Sequence, residues 1–439
     1  MSTPTTGSST EASPTPPSED HAEEQTKHGP SGQAALLRQV ASSPAVVGLL
    51  AVLTALILSS ILILAADSEV RYTATYLLNR PGDFLHATAS TLSEAYSSLL
   101  RGAVFDWRAT TGVRMIRPIT DTLTNATPLI IAGLGMAVAF RAGLFNIGGQ
   151  GQMILGAITA CYVGIAWNLP PVAHLLLAVV GAALGGLVWG GIAGVLKART
   201  GANEVIVTIM LNSIAAHLLS QVLSLKAFNG EGETGNRKSL TVADAAQYPS
   251  LAGDSFRLHA GFLLALLVAV AVWWLMERSR LGFQLRATGL NADAARTAGM
   301  SVPWVTSLVM MISGALCGLA ATAPVLGTQK SMDESVVGTI GFDAITVALL
   351  GRSRPLGTVL AGLLFGALRA GGTAMQAAPG THIKIVLVLQ STIVLFIAAP
   401  PLIRAIFRLP ERRDTLGGTA PSPASAPAAA PAAPAAKEA

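Results

Sequence analysis

The sequence contains few charged residues. Asp, Glu, Lys and Arg together make up 12% of its 439 residues, about half of the ~25% that is usual for soluble domains. Apolar residues make up 51%, and the mean hydropathy is +0.55. This composition excludes an ordinary soluble domain and is typical of an all-α polytopic membrane protein. The net charge of +5 is modest, and we attribute it to basic cytoplasmic loops rather than to a surface that binds a nucleic acid polymer.

Cysteine is nearly absent, since only Cys161 and Cys317 occur, far apart and within apolar runs. The pair offers no disulfide framework and no metal-ligand spacing, so we expect two buried thiols and no metal site. The motifs of catalysis and nucleotide binding are absent as well. The stretch "GEGETGNRKS" has the glycine spacing of a phosphate-binding loop, but Asn236 stands where lysine is required. The chain is therefore predicted to be a transport subunit rather than an enzyme, with energy supplied by an ion gradient or by another subunit.

Both ends of the chain are unlike its middle. Residues 1–34 are rich in Ser, Thr, Pro and Glu, and residues 407–439 are rich in Ala and Pro. Neither segment can bury enough apolar surface to offset the entropy of ordering, so we predict disordered cytoplasmic tails. Residues 35–117 are predicted to contain a retained transmembrane helix followed by an external amphipathic segment. That segment either lies on the membrane surface or docks an external partner. Residues 118–406 are predicted to form the main transmembrane domain.

Ten apolar runs are long enough to be candidate membrane spans. They cover residues 44–66, 118–140, 144–167, 172–196, 203–225, 258–276, 303–326, 335–351, 356–375 and 385–406. The basic loop 277–302 is assigned to the cytoplasm, and every other short, strongly basic connection then falls on the same side. The sequence thus predicts ten transmembrane helices with both termini in the cytoplasm.

One span contains an unexpected polar stretch, "FNIGGQGQ" at residues 145–152. A lipid-exposed helix must form hydrogen bonds between its own backbone N–H and C=O groups. A segment loosened by glycine is therefore expected to lie inside the protein, beside a cavity. Asn146, Gln150 and Gln152 donate and accept hydrogen bonds without carrying charge, which suits a neutral polar solute better than an ion. These three amides are candidate residues of a solute path.

Three further polar residues lie in predicted spans. Asn212 follows Glu204 and Thr208 at intervals of four, on one helix face. It either bonds to a neighbouring helix or lines the solute path, and its depth favours the path. Asp343 is a candidate path residue because charges within spans usually pair or mark function. Arg369 is expected either to pair with Asp343 or to reach the outer surface.

Two kinds of internal pattern recur. Two stretches begin with Ile-Gly and continue with polar residues and then an apolar run: "IGGQGQMILGA" from Ile147 and "IGFDAITVALLG" from Ile340. They are predicted to cross the membrane in opposite directions. Such pairs are typical of inverted repeats that flank a transport path, although chance similarity is the alternative. Glycines at every fourth residue favour close packing of helices. They are Gly186, Gly190 and Gly194 in one span, and Gly362 and Gly366 in another.

The cytoplasmic loop between residues 278 and 304 is basic and rich in small residues. Asn291 is suited to cap a short helix, and Gly299 is suited to end it. We interpret the loop as a docking element for a cytoplasmic partner, the alternative being an ordinary connection. The candidate coupling residues are Gly282, Arg286, Gly289, Asn291, Ala295, Arg296 and Gly299.

Four motifs in order resemble one family: "GLFNIGGQGQMILGA", "GANEVIVTIMLN", "LGFQLRATGLNADAARTAGM" and "GFDAITVALLGRSRPLGTVLAGLLFGALRAGG". They are similar to permease subunits of ABC importers of the branched-chain amino acid and ribose permease superfamily, most of all to its simple-sugar and nucleoside branch. The resemblance implies a type II importer fold over residues 118–406, in a bacterial cell membrane.

The resemblance also implies partners and a cargo. The expected partners are an ATPase with two nucleotide-binding domains, which carries ATP and Mg, a second homologous permease that forms a heterodimer with this chain, and an extracytoplasmic solute-binding lipoprotein. The chain itself is expected to hold no cofactor. Nucleosides are the expected cargo and simple sugars the alternative. An ion-coupled secondary transporter would need acidic residues in mid-span, and an intramembrane enzyme would need a catalytic constellation that the sequence lacks.

Overall fold

The computed structural model describes residues 44–229, 237–253 and 255–377, together with isolated positions between 391 and 408. The predicted tail 1–34, nearly all of 407–439 and most of the predicted span 385–406 lie outside the described residues.

The described residues form helices, turns and two isolated β-bridges. The helices are α1 Pro44–Ala66, α2 Ser68–Ala74, α3 Pro81–Ala103, α4 Gly112–Arg141, α5 Gly149–Ala166, α6 Pro171–Thr200, α7 Glu204–Leu223, α8 Lys226–Asn229, α9 Gly261–Arg278, α10 Arg280–Leu290, α11 Ala292–Thr297, α12 Val302–Ala320, α13 Ile340–Leu350 and α14 Pro355–Ala377. A 3₁₀ turn spans Asp244–Ala246, and a π-helix spans Ala323–Thr328. The predicted all-α class is confirmed.

Within the described residues, six helices are long and apolar enough to cross a membrane. They are α4, α6, α7, α9, α12 together with the π-helix, and α14. A seventh span is formed if Leu53–Ala66 and α2 are counted as one helix with a bend of 78° between them. The described part of the chain therefore supports a polytopic protein but does not reach the predicted number of ten.

The span predicted over residues 335–351 is wrong in its length. The structure contains only α13, whose 11 residues extend for about 16 Å at ~1.5 Å per residue, well short of the ~30 Å hydrocarbon core. Gly338 has a positive φ of 51°, a conformation that breaks a helix. The residues before Ile340 consequently form turns, and α13 is a half-length helix.

Helix α4 is the centre of the bundle, because its residues 126–139 are buried on every face. Helices α12, α13, α14 and α9 pack around it. Gly362 and Gly366 of α14 lie against Ile130 and Ala126 of α4, so close that a side chain at either glycine would overlap its neighbour. The spacing of these glycines thus serves packing within the chain, as predicted.

Helices α6 and α12 make the second close contact. Gly186 of α6 lies directly on the backbone of Gly314 and Gly318 of α12, and Gly190 and Gly194 continue the contact along Met310 and Ser307. Because no side chains separate the two backbones, dispersion contacts hold the helices together in a lipid environment that offers little hydrophobic driving force. The prediction that this ladder packs helices is confirmed.

The basic connections meet at one end of the bundle. Arg141 Nε donates a hydrogen bond of 3.0 Å to the Ser353 carbonyl oxygen, and Arg141 Nη2 lies 3.8 Å from Glu277 Oε1. Gly289 packs on the Arg141 carbonyl. The connections after α4, α9 and α13 therefore share one face of the protein, which agrees with the predicted charge asymmetry.

Residues 237–253 and 255–260 cover the opposite end of the bundle. Val242 N–H donates to the Lys330 carbonyl at 2.9 Å, and Tyr248 N–H donates to the Leu326 carbonyl at 2.9 Å, next to the π-helix. A hydrogen bond from Arg237, 3.0 Å from Glu334 Oε1, lowers the pKa of the Glu334 carboxyl below its ordinary value. The predicted amphipathic segment, residues 93–107, begins in α3 and continues past its end at Ala103. Helix α3 packs its buried face along α14.

Candidate functional site

The amide-rich stretch forms a buried hydrogen-bond network at the start of α5. Asn146 Nδ2 donates to Gln152 Oε1 at 2.9 Å and to Ser313 Oγ at 2.8 Å, and Gln152 Nε2 donates to Asn146 Oδ1 at 3.1 Å. Asn146 and Gln152 are 0% and 1% exposed. A fully paired buried network of this kind holds the chain rigidly where it enters the helix. In this conformation both amides bond to protein atoms, and their contact with a solute stays a prediction.

Asn212 braces the same segment from α7. Its Nδ2 donates to the Ile147 carbonyl at 2.9 Å, and its Oδ1 accepts from the Gly151 N–H at 2.8 Å. These bonds satisfy backbone groups around the first turn of α5, which has unpaired N–H groups like any helix start. The geometry fits the interpretation that the side chain of Asn212 bonds α7 to the start of α5. The role of Asn212 in a solute path stays a prediction.

Gln150 connects the starts of two helices. Its Nε2 donates to the Gly338 carbonyl at 2.6 Å, and its Oε1 accepts from the Gly341 N–H at 3.2 Å. The two segments that begin with Ile147 and Ile340 are therefore in direct contact, with the N-termini of α5 and α13 facing each other. Of the two, α13 is half-length, whereas α5 has 18 residues. A half-length helix whose N-terminus meets another helix start inside a bundle is found around transport paths built from inverted repeats.

Asp343 and Arg369 form an ion pair beside this contact. Arg369 Nη2 lies 2.5 Å from Asp343 Oδ2 and donates to Thr339 Oγ1 at 2.8 Å, while Thr339 Oγ1 donates to Asp343 Oδ2 at 3.1 Å. Of the two alternatives for Arg369, the structure contains the ion pair with Asp343, and the side chain does not extend to the outer surface instead. We call Gln150, Gly338, Thr339, Asp343 and Arg369 the half-helix junction.

A small cavity of about 60 Å³ adjoins the half-helix junction, and Asp121, Asn125, Arg257, Thr328 and Arg369 are among its lining residues. Asp121 also borders a second cavity of about 810 Å³ between α3, α4 and α14. The sequence did not single out Asp121 and Asn125, because the apolar run after them dominates that span. Their spacing of four, which puts both on one helix face, is the signal that could have revealed them.

The predicted short helix in the basic loop is confirmed as α11. Asn291 Oδ1 accepts from the N–H groups of Asp293 and Ala294, both at 3.0 Å, which is the expected cap. Gly299 has a φ of 82°, so it turns the chain away after the helix as glycine does at this position.

The other candidate coupling residues contact atoms of the loop itself and of the end of α9. Gly282 packs on the backbone of Met276, where α9 turns into α10. Arg286 donates to the Met276 carbonyl and lies 3.9 Å from Glu277 Oε2. Arg296 Nη1 lies 2.8 Å from Asp293 Oδ1 on the exposed face.

The exposure of two loop residues decides which of them a partner can contact. Ala295, a candidate coupling residue, is 3% exposed and packs into this chain. Leu290, which the sequence did not single out, is 89% exposed at the end of α10. An exposed leucine beside a capped helix is the more suitable contact for a partner, since interface cores are apolar.

Comparison with known proteins agrees with this geometry. The family described as branched-chain amino acid transport system / permease component matches residues 119–398. A guanosine ABC transporter permease protein of Bacillus subtilis is 40% identical over 289 residues, which are 66% of this chain and 83% of that protein. A glucose ABC transporter permease protein of Haloferax volcanii is 36% identical over 317 residues, which are 70% of this chain and 82% of that protein. A nucleoside ABC transporter permease protein of Lactococcus lactis is 34% identical over 290 residues, which are 64% of this chain and 79% of that protein.

The bundle of spanning helices defines a multi-pass membrane protein. The chain belongs to the family of branched-chain amino acid transport system permease components, on the evidence of a match that covers more than half of its length. It is an ABC importer permease of the simple-sugar and nucleoside branch. Membership in this family implies a separate ATPase and a solute-binding protein as partners.

Proposed function

We propose that this chain forms the translocation path for nucleosides in an ATP-driven importer. The observation that carries the proposal is the contact of Gln150 with Gly338 and Gly341, because it places an uncharged, half-buried amide where the start of α5 meets the half-length helix α13. Such a group can exchange its bonds to backbone for bonds to a neutral solute without burying a charge. The guanosine and nucleoside permeases among the relatives support this cargo.

The remaining amides support the path in this proposal. Asn146, Gln152 and Asn212 keep the start of α5 in place through their bonds to one another and to backbone, and Gln150 then faces the solute. Asp343 is held beside the path by Arg369. Because this carboxylate is already neutralised, it is poorly suited to carry a coupling ion, which disfavours a secondary transporter.

The basic loop is proposed to receive the motion of the ATPase. The partner ATPase binds ATP and Mg on its two nucleotide-binding domains and contacts the loop between Leu281 and Met300 in the cytoplasm. A second homologous permease completes the path, and an extracytoplasmic lipoprotein delivers the solute. In this arrangement the protein lies in the bacterial cell membrane with both termini in the cytoplasm. The exposure of Leu290 at the basic end of the bundle supports the assignment.

Simple sugars are the second candidate cargo, favoured by the glucose permease that is 36% identical over 70% of this chain. Uptake of radiolabelled guanosine, uridine and glucose should be compared in cells that lack this gene, with and without a plasmid that carries it. We expect the plasmid to restore guanosine uptake and to leave glucose uptake unchanged. Restoration of glucose uptake alone would replace nucleosides by sugars, and restoration of none of the three would contradict both candidates.

A further inference from the structure

The small cavity beside the half-helix junction is lined by polar groups from four different elements. Asp121 and Asn125 come from α4, Arg257 from the segment before α9, Thr328 from the π-helix, and Arg369 from α14. In a protein whose interior is mostly apolar, residues far apart in sequence converge here. Convergent polar groups around a cavity are the usual features of a ligand site.

Asp121 has an unused hydrogen-bonding atom in this cluster. Its Oδ2 lies 3.7 Å from Arg117 Nε, whereas its Oδ1 is buried and has no hydrogen-bond partner among the described residues. A buried carboxylate oxygen without a donor is costly, because it has lost its bonds to water and gained none in exchange. The atom is therefore ready to accept from a ligand.

The charges around the cavity limit the kind of ligand. Arg257 lies on its wall and repels a cation, whereas an anion would meet the unpaired Oδ1 atom of Asp121. Arg369 also lies on the wall, with its charge paired to that of Asp343. A hydroxyl group fits both, since it donates to a carboxylate and accepts from a guanidinium. Asn125, whose Nδ2 bonds to the Asp121 carbonyl at 2.9 Å, offers its amide oxygen as a further acceptor.

The dimensions fit part of a solute and not the whole. The cavity of about 60 Å³ has room for one or two hydroxyl groups, and the adjoining cavity of about 810 Å³ shares Asp121 with it. Cavities that bind small molecules are typically ~300–1,000 Å³ in volume. The larger cavity can hold the body of a nucleoside or a hexose, with its hydroxyl groups pointing at Asp121.

We propose that Asp121, Asn125 and Arg369 form a site that recognises two adjacent hydroxyl groups of the transported solute. This inference rests on the proposed function and adds a specificity site that the sequence did not indicate. A vicinal diol is shared by ribose and by simple sugars, so the same site serves either cargo. The Asp121 carboxylate accepts a hydrogen bond from each of the two hydroxyl groups, and Arg369 donates a hydrogen bond to a hydroxyl oxygen.

The first test measures uptake kinetics in the cells described above. Asp121→Asn keeps the size of the side chain and removes its charge, so we expect the half-saturation concentration for the transported solute to rise by about tenfold. Asp83→Asn is the matched control, because Asp83 also lies near an arginine, 4.0 Å from Arg80, but is exposed and outside both cavities. Its half-saturation concentration should stay at the wild-type value. Membrane levels of both variants are compared by immunoblot.

The second test does not depend on transport by the Asp121 variant. Asn125→Cys is labelled with a small thiol reagent in intact cells, where the two natural cysteines are fully buried. Guanosine or glucose, whichever is transported, should slow the labelling, and 2′,3′-dideoxyguanosine, which lacks the diol, should not. Leu78→Cys, at a position that is 98% exposed, should label at the same rate with and without solute.

The outcomes separate this proposal from the proposed function. If guanosine protects Asn125→Cys from labelling, the site binds ribose. If glucose protects it, the site binds a hexose. Wild-type kinetics for Asp121→Asn, equal protection by the dideoxynucleoside, or an Asn125→Cys that never labels would each overturn the diol site while uptake by the wild-type chain continues. Failure of the wild-type chain to restore any uptake would instead reject the proposed function.

Discussion

Gln150 and Gly341 are 191 residues apart in the chain and are joined by a hydrogen bond of 3.2 Å from the Gly341 N–H to Gln150 Oε1. The same side chain donates to the Gly338 carbonyl at 2.6 Å. One amide thus holds the start of α5 against the start of α13. Any movement of these two helix starts relative to each other must break both bonds, so we expect this contact to open and close during transport.

Gln150→Leu should lower the rate of solute uptake by at least about tenfold. The variant loses two hydrogen bonds, each worth ~1 kcal/mol, and leaves the backbone groups of Gly338 and Gly341 without this partner. Uptake is measured with radiolabelled solute, and the amount of protein in the membrane is measured by immunoblot. Gln221→Leu, at an exposed amide of α7, is the control and should behave like the wild type. Normal uptake by Gln150→Leu would return this residue to a packing role.

Leu290→Asp should uncouple the importer. Leu290 is 89% exposed at the end of α10, so the change does not disturb the core, but it places a charge where an apolar contact with the ATPase is proposed. Stimulation of ATP hydrolysis by external solute is measured in the complex reconstituted in liposomes. Leu78→Asp, at a residue that is 98% exposed between α2 and α3, should keep the stimulation. Equal stimulation in both variants would place the ATPase contact elsewhere.

Gly186→Ala should weaken the contact of α6 with α12. A methyl group at this position would overlap the Gly314 carbonyl oxygen and the backbone of Gly318, so the helices must separate. Gly181→Ala, on the same helix, is the control because its nearest neighbour would be 3.5 Å away in ordinary contact. Thermal unfolding of the detergent-solubilised protein should show a lower apparent Tm for Gly186→Ala only. An unchanged Tm for both variants would show that the contact tolerates a methyl group.

Asp343→Asn and Arg369→Gln should each destabilise the protein, because each leaves the other charge without its partner. The two side chains are 25% and 23% exposed, between the surface and the core, so we expect a cost of about 1–2 kcal/mol for each change. The double variant should be more stable than the sum of the single changes predicts, as determined from apparent Tm values in a double-mutant cycle. Additive effects would mean that the pair contributes no coupling.

Cysteine labelling should place the two ends of the bundle on opposite sides of the membrane. Lys238→Cys, in the segment that covers one end, should react with a membrane-impermeant maleimide in intact cells. Leu290→Cys, at the end that carries the basic connections, should react only after the cells are permeabilised. The background is low because Cys161 and Cys317 are both buried. Labelling of both positions in intact cells would contradict the predicted topology.

Local features of the sequence were sufficient to predict much of this protein. Composition predicts a polytopic helical membrane protein, because the cost of placing charge in lipid acts on every span independently. The cap at Asn291, the turn at Gly299 and the glycine ladder at Gly186 are also local, since each depends on a few residues at fixed spacing. The structure confirms all of these features.

Only the tertiary structure decided which distant residues meet. The apolar run at 335–351 reads as a span, yet α13 has only 11 residues, because the chain turns at Gly338, whose φ is positive. The carbonyl of Gly338 bonds to Gln150 of another helix. Ala295 reads as a docking surface and is buried, while Asp121 reads as the edge of a span and borders two cavities. The physical reason is the same in each case. Hydropathy and spacing measure the preference of a segment for its solvent, whereas the partner of a hydrogen bond or the wall of a cavity depends on how whole helices pack.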